Sequence, residues 1–99
     1  MPVRSAAAVG VCLALAAFRA NATEAPPGAS SCSGCHAASA AVETPVPRLA
    51  GMPAARITEA MLAFRAGQRP GTIMPRIARG FSDDEIAAIA AWYAAQPAE

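Results

Sequence analysis

The sequence predicts a small all-α domain, and three observations lead to this expectation. Apolar residues recur at helical spacing in two segments, 54–66 and 82–97. No segment shows the strict apolar/polar alternation or the β-branched runs that are typical of strands. The stretches between the helical segments are long and rich in proline and glycine, which indicates loops. Loops of this length need a packing surface besides polypeptide.

The first 22 residues have the features of a secretory signal peptide. Arg4 gives a basic start, an uninterrupted apolar run covers residues 6–18, and residues 20–22, Ala-Asn-Ala, fit a small-x-small cleavage site. The run is too short to span a bilayer. We therefore expect residues 1–22 to be cleaved, leaving one exported domain of residues 23–99 with no stable membrane span; an uncleaved anchor is the alternative. Export would place this domain in the periplasm, an oxidising compartment.

Two helices are predicted in the first two thirds of the exported part. A short one runs from about Pro27 to His36, since proline suits the first turn of a helix. A longer one runs from about Ala54 to Ala66 and is followed by Gly67, a frequent helix stop. The longer helix carries an apolar stripe at positions i, i+4 and i+7, formed by Ile57, Met61 and Phe64.

A third helix has the clearest beginning. Residues 82–85, Ser-Asp-Asp-Glu, form a capping box with acidic residues in the first turn. Apolar residues follow at helical spacing as far as Pro97. Segments 37–53 and 68–81 carry several prolines and glycines and are predicted to be loops.

Residues 32–36 read Cys-Ser-Gly-Cys-His, a C-x-x-C-H box of the kind that attaches haem covalently. In a helical turn this spacing places both sulfurs on one side, about as far apart as the two vinyl groups of haem. The adjacent imidazole can then reach the iron. The box therefore predicts one haem c, with thioether bonds from Cys32 and Cys35 and axial ligation by His36.

Other interpretations of the box are weaker. A redox dithiol of the thioredoxin type needs a βαβ context that this chain lacks. A zinc site needs four ligands, and the cluster offers two cysteines and one histidine. A disulfide between Cys32 and Cys35 would close a very small, strained loop. Export also favours haem, because bacterial haem attachment to such boxes takes place outside the cytoplasmic membrane.

Size and charge restrict the function further. A chain this small usually needs additional stabilisation, such as a disulfide or a bound cofactor, because its own core is thin. A covalently bound haem provides such stabilisation. The exported part carries six arginines against seven acidic residues. This balance gives no reason to expect nucleic acid as a partner.

Three methionines of the exported part are candidates for the second axial iron ligand. Met52 lies only 16 positions after His36, so its loop would have to turn quickly to reach the opposite haem face. Met61 lies on an apolar helical stripe, where methionine is usually part of the core. Met74 precedes Pro75, which favours an extended backbone and lets the thioether project from a loop. We therefore predict Met74 as the ligand; filling both axial positions favours electron transfer over oxygen binding.

From Cys32 to the end, the chain resembles class I bacterial cytochromes c. Residues 64–67, Phe-Arg-Ala-Gly, and 72–82, Thr-Ile-Met-Pro-Arg-Ile-Ala-Arg-Gly-Phe-Ser, resemble the methionine-loop segment of the haem subunit of flavocytochrome c sulfide dehydrogenase. The resemblance implies a small class I cytochrome c fold, with short helices and loops wrapped around one covalently attached haem. It also implies Cys32 and Cys35 as thioether sites.

The resemblance likewise implies a function. In that family a small haem subunit sits on a larger flavoprotein, which oxidises sulfide, and the haem passes electrons to a soluble acceptor. The chain is therefore expected to be a non-catalytic relay subunit with an FAD-containing flavoprotein partner and an acceptor such as another cytochrome. A free soluble carrier serving a respiratory or photosynthetic chain is the alternative. A haem sensor or a peroxidase-like enzyme would require an open iron position.

Further residues take expected roles from the same resemblance. Pro47 resembles the proline whose carbonyl accepts the free N–H of the ligand histidine, and Arg48 is expected to pair with a haem propionate. Trp92 falls where the class carries an aromatic residue that packs the last helix against the first, although this first helix is short. Four arginines near the methionine loop are expected to dock a partner, pair with propionates or remain solvated: Arg65, Arg69, Arg76 and Arg79.

Overall fold

The computed structural model describes residues 24–98, so the expected signal peptide, residues 1–22, lies outside the described residues. Residues 24–98 contain four helices and no strand, which confirms the prediction of an all-α chain. In chain order the helices are α1 (Ala29–Cys32), α2 (Ala54–Arg65), α3 (Met74–Ala78) and α4 (Asp83–Ala94). None of the helices described is long and apolar enough to cross a bilayer.

Helix α1 is shorter than predicted. Gly28 precedes it in the left-handed region with φ of 86°, so Pro27 lies before the helix and does not begin it. A side chain at Gly28 would also collide with the Phe81 ring, which lies 2.6 Å from the position of a Cβ atom. A helical turn nevertheless continues beyond Cys32, because the His36 N–H donates to the Cys32 carbonyl at 2.8 Å. The C-x-x-C-H box therefore occupies the end of α1 and the turn that follows.

Helix α2 matches its prediction closely. It ends at Arg65, and Gly67 follows with φ of 72°, a left-handed conformation that stops the helix without strain. Ile57 and Met61 are buried and Phe64 packs against the core from its edge. The helix packs against both α3 and α4, so its apolar stripe forms the centre of the fold.

Helix α3 corrects the prediction that segment 68–81 is a loop throughout. Residues Met74–Ala78 are helical, and Met74 is the first helical residue rather than part of an extended strand-like loop. Pro75 stands in the first turn, where its missing N–H has no intrahelical partner to lose. The Ile77 N–H donates to the Ile73 carbonyl at 3.1 Å, and Ala78 is completely buried.

Helix α4 begins at the predicted capping box. The Ser82 hydroxyl accepts a hydrogen bond from the Glu85 N–H at 3.2 Å, and the Glu85 carboxylate accepts one from the Ser82 N–H at 2.9 Å. Two backbone donors at the helix start are thereby satisfied. The helix ends at Ala94, just before Pro97.

The core is small and every helix contributes to it. Ile86 is the largest of its fully buried side chains, and most of the others are alanine or isoleucine. Met61 is 7% exposed and belongs to this core, as predicted. The buried residues are Ala29, Ile57, Met61, Ala78, Ile86, Ile89, Ala90 and Tyr93.

Arg65 joins the end of α2 to the start of α4. Its guanidinium donates to the Phe81 carbonyl at 3.1 Å and forms an ion pair with the Asp83 carboxylate. Since Asp83 is 78% exposed, solvent screens this pair, and we expect it to contribute at most about 1 kcal/mol. Arg65 thereby fixes the two ends of the segment between α2 and α4, which contains α3.

The capping box predicts a pH-dependent contribution to stability. Hydrogen bonds from the Ser82 backbone and hydroxyl lower the pKa of Glu85 below its ordinary value of 4.5. The ionised Glu85 carboxylate therefore stabilises the fold fully at pH values above its ordinary pKa. This stabilisation is lost as pH falls through the lower pKa of the folded state. We expect Glu85→Ala to lower the free energy of unfolding of the haem-loaded protein near neutral pH, and to matter progressively less in acid.

Urea unfolding at a series of pH values measures this effect. Asp84→Ala is the matched control, because Asp84 lies in the same turn and its carboxylate makes no hydrogen bond within residues 24–98. A difference between wild type and Glu85→Ala that stays constant down to strongly acidic pH would contradict the assignment.

Candidate functional site

The two cysteines of the box differ in their environments. Cys32 is half-buried at the end of α1 and packs against the core, whereas Cys35 is exposed in the following turn. Partial burial raises the pKa of the Cys32 thiol, and hydrogen bonds with Tyr93 and Ser31 offset part of this rise. The Cys35 N–H and the His36 N–H both donate to the Cys32 carbonyl, so a single carbonyl closes the turn. The spacing thus forms the helical turn that the sequence predicts.

The ring of His36 is held by a hydrogen bond to the chain. Its Nδ1 atom lies 2.5 Å from the Pro47 carbonyl oxygen. A carbonyl can only accept, so the proton must be on Nδ1 and the lone pair on Nε2. This is the orientation implied by the family resemblance, and it leaves Nε2 available for a metal.

The methionines occupy different environments. Met74 is half-buried at the start of α3 and contacts the same core cluster as Cys32. Met61 lies inside that cluster, and Met52 packs on its edge. Met61 is thus a core residue, as predicted, whereas Met52 and Met74 both border the core and differ in sequence context rather than in burial.

Arg48 carries the clearest sign of a group that the chain itself does not supply. Its Nε and Nη2 atoms are buried and have no hydrogen-bond partner among the described residues. Buried guanidinium donors without a partner are costly, and an anion would satisfy them. Arg48 follows Pro47 directly, which places these donors on the segment that holds His36. A haem propionate has the charge and the acceptor oxygens required, so the residues present fit haem.

The structure gives no support to the zinc interpretation of the box. Within residues 24–98, no three side chains of cysteine, histidine, aspartate or glutamate lie close enough to hold a metal ion. A surface depression of about 490 Å³ lies along α2 beside Glu59 and Asp83 and includes none of the predicted site residues. It is open and shallow, and we assign it no part in the site.

Sequence reasoning missed the role of Tyr93. Its hydroxyl donates to the Ala29 carbonyl at 2.5 Å and lies 3.0 Å from the Ser33 hydroxyl, inside the box. These hydrogen bonds join α4 to α1 and to the box. Trp92, which the resemblance assigns to this packing, borders the core cluster that includes Ala29 and meets the Tyr93 ring edge-on, with centroids 4.8 Å apart. Helical spacing identifies the buried face of α4 but not the partner of a hydroxyl.

Comparison with known proteins identifies the family. Cytochrome c-554(548) of Halomonas halodenitrificans is 38% identical over 69 residues, which cover 66% of this chain and 83% of that protein. The chain belongs to the c-type cytochromes. It is a class I member with an all-α fold, and haem c, covalently attached, is its cofactor. Electron transport is the activity common to this group.

Two further relatives are longer proteins than cytochrome c-554(548). The thiosulfate dehydrogenase electron acceptor of Stutzerimonas stutzeri is 40% identical over 74 residues, 73% of this chain and 34% of that protein. The cytochrome subunit of sulfide dehydrogenase of Chlorobaculum tepidum is 33% identical over 63 residues, 64% of this chain and 57% of that protein. The chain therefore spans about a third of one relative and somewhat over half of the other. No protein-family model matches the chain.

The orphaned donors of Arg48 generate a prediction for this cytochrome. Arg48→Gln removes the cation that we expect to pair with a propionate, so the haem-loaded protein should lose roughly 1.5 to 3 kcal/mol of unfolding free energy. Removal of a positive charge near the haem also favours Fe(III), so the reduction potential should fall. Urea unfolding and potentiometric titration measure the two effects.

Arg56→Gln is the control for this prediction. Arg56 lies on the exposed side of α2, so its loss removes the same charge without a buried donor. Equal effects of the two substitutions on stability and on potential would show that Arg48 makes no specific contact with the haem.

Proposed function

We propose that residues 23–99 form a periplasmic monohaem cytochrome in which Cys32 and Cys35 hold the haem and His36 and Met74 ligate its iron. The hydrogen bond from His36 Nδ1 to Pro47 is the observation that supports this most directly, because it leaves Nε2 free and fixes the ring. Met74 and Met52 both border the core, and the place of Met74 in the methionine-loop sequence, just before Pro75, favours it as the second ligand.

The residues of the chain determine how the site works. When bound, the haem iron supplies a one-electron couple. His36 is held in one tautomer by Pro47, so the imidazole does not have to reorient when the charge of the site changes. A thioether from Met74 on the iron would favour the reduced state and would exclude oxygen and peroxide. The chain thus favours transfer of single electrons over catalysis.

Substitution of the three methionines tests the second ligand. We expect Met74→Leu to lower the reduction potential by about 0.1 V or more, within the roughly 0.8 V that axial ligands span. The reduced variant should also bind carbon monoxide rapidly. Met52→Leu and Met61→Leu preserve volume in the same way and should keep the wild-type spectrum. Rapid carbon monoxide binding by the wild-type protein, or an unchanged spectrum in Met74→Leu, would exclude Met74.

We also infer that this cytochrome accepts electrons from an FAD-containing flavoprotein that oxidises sulfide and passes them to a soluble acceptor such as another cytochrome. The sequence of the methionine loop supports this partner, as does the similarity to the cytochrome subunit of sulfide dehydrogenase. The second candidate is a free-standing carrier for a respiratory or photosynthetic chain. This candidate is supported by the match to cytochrome c-554(548), because the matched residues cover 83% of that protein.

The arginines around α3 suggest where a partner binds. Segment 66–81 contains three arginines and no acidic residue. Arg76 and Arg79 are exposed and have no ion-pair partner among the described residues, and Arg69 lies over the Phe64 ring at 4.8 Å. Arg65 is not part of this surface, because Asp83 and Phe81 hold it. A surface of this charge fits a partner with acidic residues around its electron exit.

Sulfide-dependent reduction of the cytochrome tests the partner. Haem-loaded protein is mixed with flavin-containing fractions of a native extract, and reduction is followed optically after addition of sulfide, with a sample lacking extract as the blank. We expect Arg76→Gln/Arg79→Gln to slow the reaction about tenfold at low salt and less at physiological ionic strength. Arg56→Gln should have little effect. Reduction by thiosulfate, or by neither donor, would contradict the sulfide assignment and favour another electron source.

A further inference from the structure

Tyr93 connects α4 to the haem-binding box through its side chain. The residue is 5% exposed, and its hydroxyl donates to the Ala29 carbonyl. Since that single hydroxyl proton is used, the Ser33 hydroxyl must donate to the Tyr93 oxygen. One buried hydroxyl therefore bonds to Ser33 inside the box and to Ala29 just before it.

The main chain of Tyr93 holds the loop that orients the histidine. Its carbonyl accepts a hydrogen bond from the Gly51 N–H at 3.0 Å. Gly51 has φ of 74°, and a Cβ atom there would lie 2.4 Å from that of Ala98, so only glycine permits this approach. The anchored segment begins four residues earlier at Pro47, whose carbonyl accepts the hydrogen bond from His36.

This arrangement compensates for the short first helix. Four residues of α1 cannot form a stable helix by themselves. The packing of α2 against α3 and α4 does not include the box. We propose that Tyr93 is a positioning residue, which holds the box from one side and the His36-orienting loop from the other. The proposal rests on the covalent haem box and does not depend on which protein donates the electrons.

Hydrogen exchange in the reduced, haem-loaded protein tests the proposal, with Tyr93→Phe as the variant. Phenylalanine keeps the ring in the core and removes only the hydroxyl. We expect the ring Nδ1 proton of His36 and the N–H groups of Cys35 and His36 to exchange about tenfold faster than in wild type, as loss of buried hydrogen bonds permits local opening. The N–H of Met61, in the middle of α2, reports global unfolding and should exchange at a nearly unchanged rate.

Trp92→Phe is the matched control, since it alters the neighbouring aromatic ring and removes no hydrogen bond made by Tyr93. Equal exchange in the two variants would overturn the proposal. Equal acceleration at Met61 and at the box in Tyr93→Phe would also overturn it, because it would show a role in global stability only.

A second pair of variants decides the matter if Tyr93→Phe is not recovered. Ser33→Ala removes one partner of the Tyr93 hydroxyl, whereas Ser31→Ala removes a neighbouring hydroxyl that bonds only to the Gly28 carbonyl within the described chain. Faster exchange of the His36 ring proton in Ser33→Ala alone would support the proposal, and identical behaviour of the two would refute it. Haem content is measured first in wild type, because a colourless wild-type protein counts against the proposed function instead.

Discussion

The hydrogen bond between His36 Nδ1 and the Pro47 carbonyl is the contact on which the site depends. It links a turn that ends a four-residue helix to a loop without regular structure. That loop keeps its position because the Gly51 N–H donates to the Tyr93 carbonyl, and Tyr93 keeps its position because α4 begins at a capping box and packs against α2. The orientation of the His36 ring near the start of the domain therefore depends on a helix near its end, about 60 positions along the chain.

A thin core explains why the domain relies on such contacts. The buried side chains are mostly alanine and isoleucine, and half of the helices have five residues or fewer in the described chain. Helices of this length are unstable in isolation and form only where tertiary contacts hold them. Covalent haem gives the small domain an additional apolar surface, which larger domains obtain from their own chain.

The sequence alone predicts the parts of this structure that have a repeating or local signal. Helices α2 and α4 have apolar periodicity and, for α4, a capping box between Ser82 and Glu85, and their predicted bounds agree with the structure to within a few residues. Helix α3 has no such signal, because five residues are too few to show periodicity and Pro75 favours an extended residue before it. The box at Cys32 is a contiguous motif. The hydroxyl contacts of Tyr93 join residues more than 50 positions apart and leave no local signal.

The basic residues show why net charge predicted so little. All eight are arginine, and those near the site have different environments. Arg48 has buried donors without a partner, Arg65 binds a carboxylate and a carbonyl, and Arg69 lies over an aromatic ring. A planar guanidinium with five donors suits all three environments, whereas a lysine ammonium would suit none of them as well. Arg48, Arg65 and Arg69 are therefore already engaged or directed inward. Arg76 in α3 and Arg79 just after it carry the free positive charge that a partner would meet first.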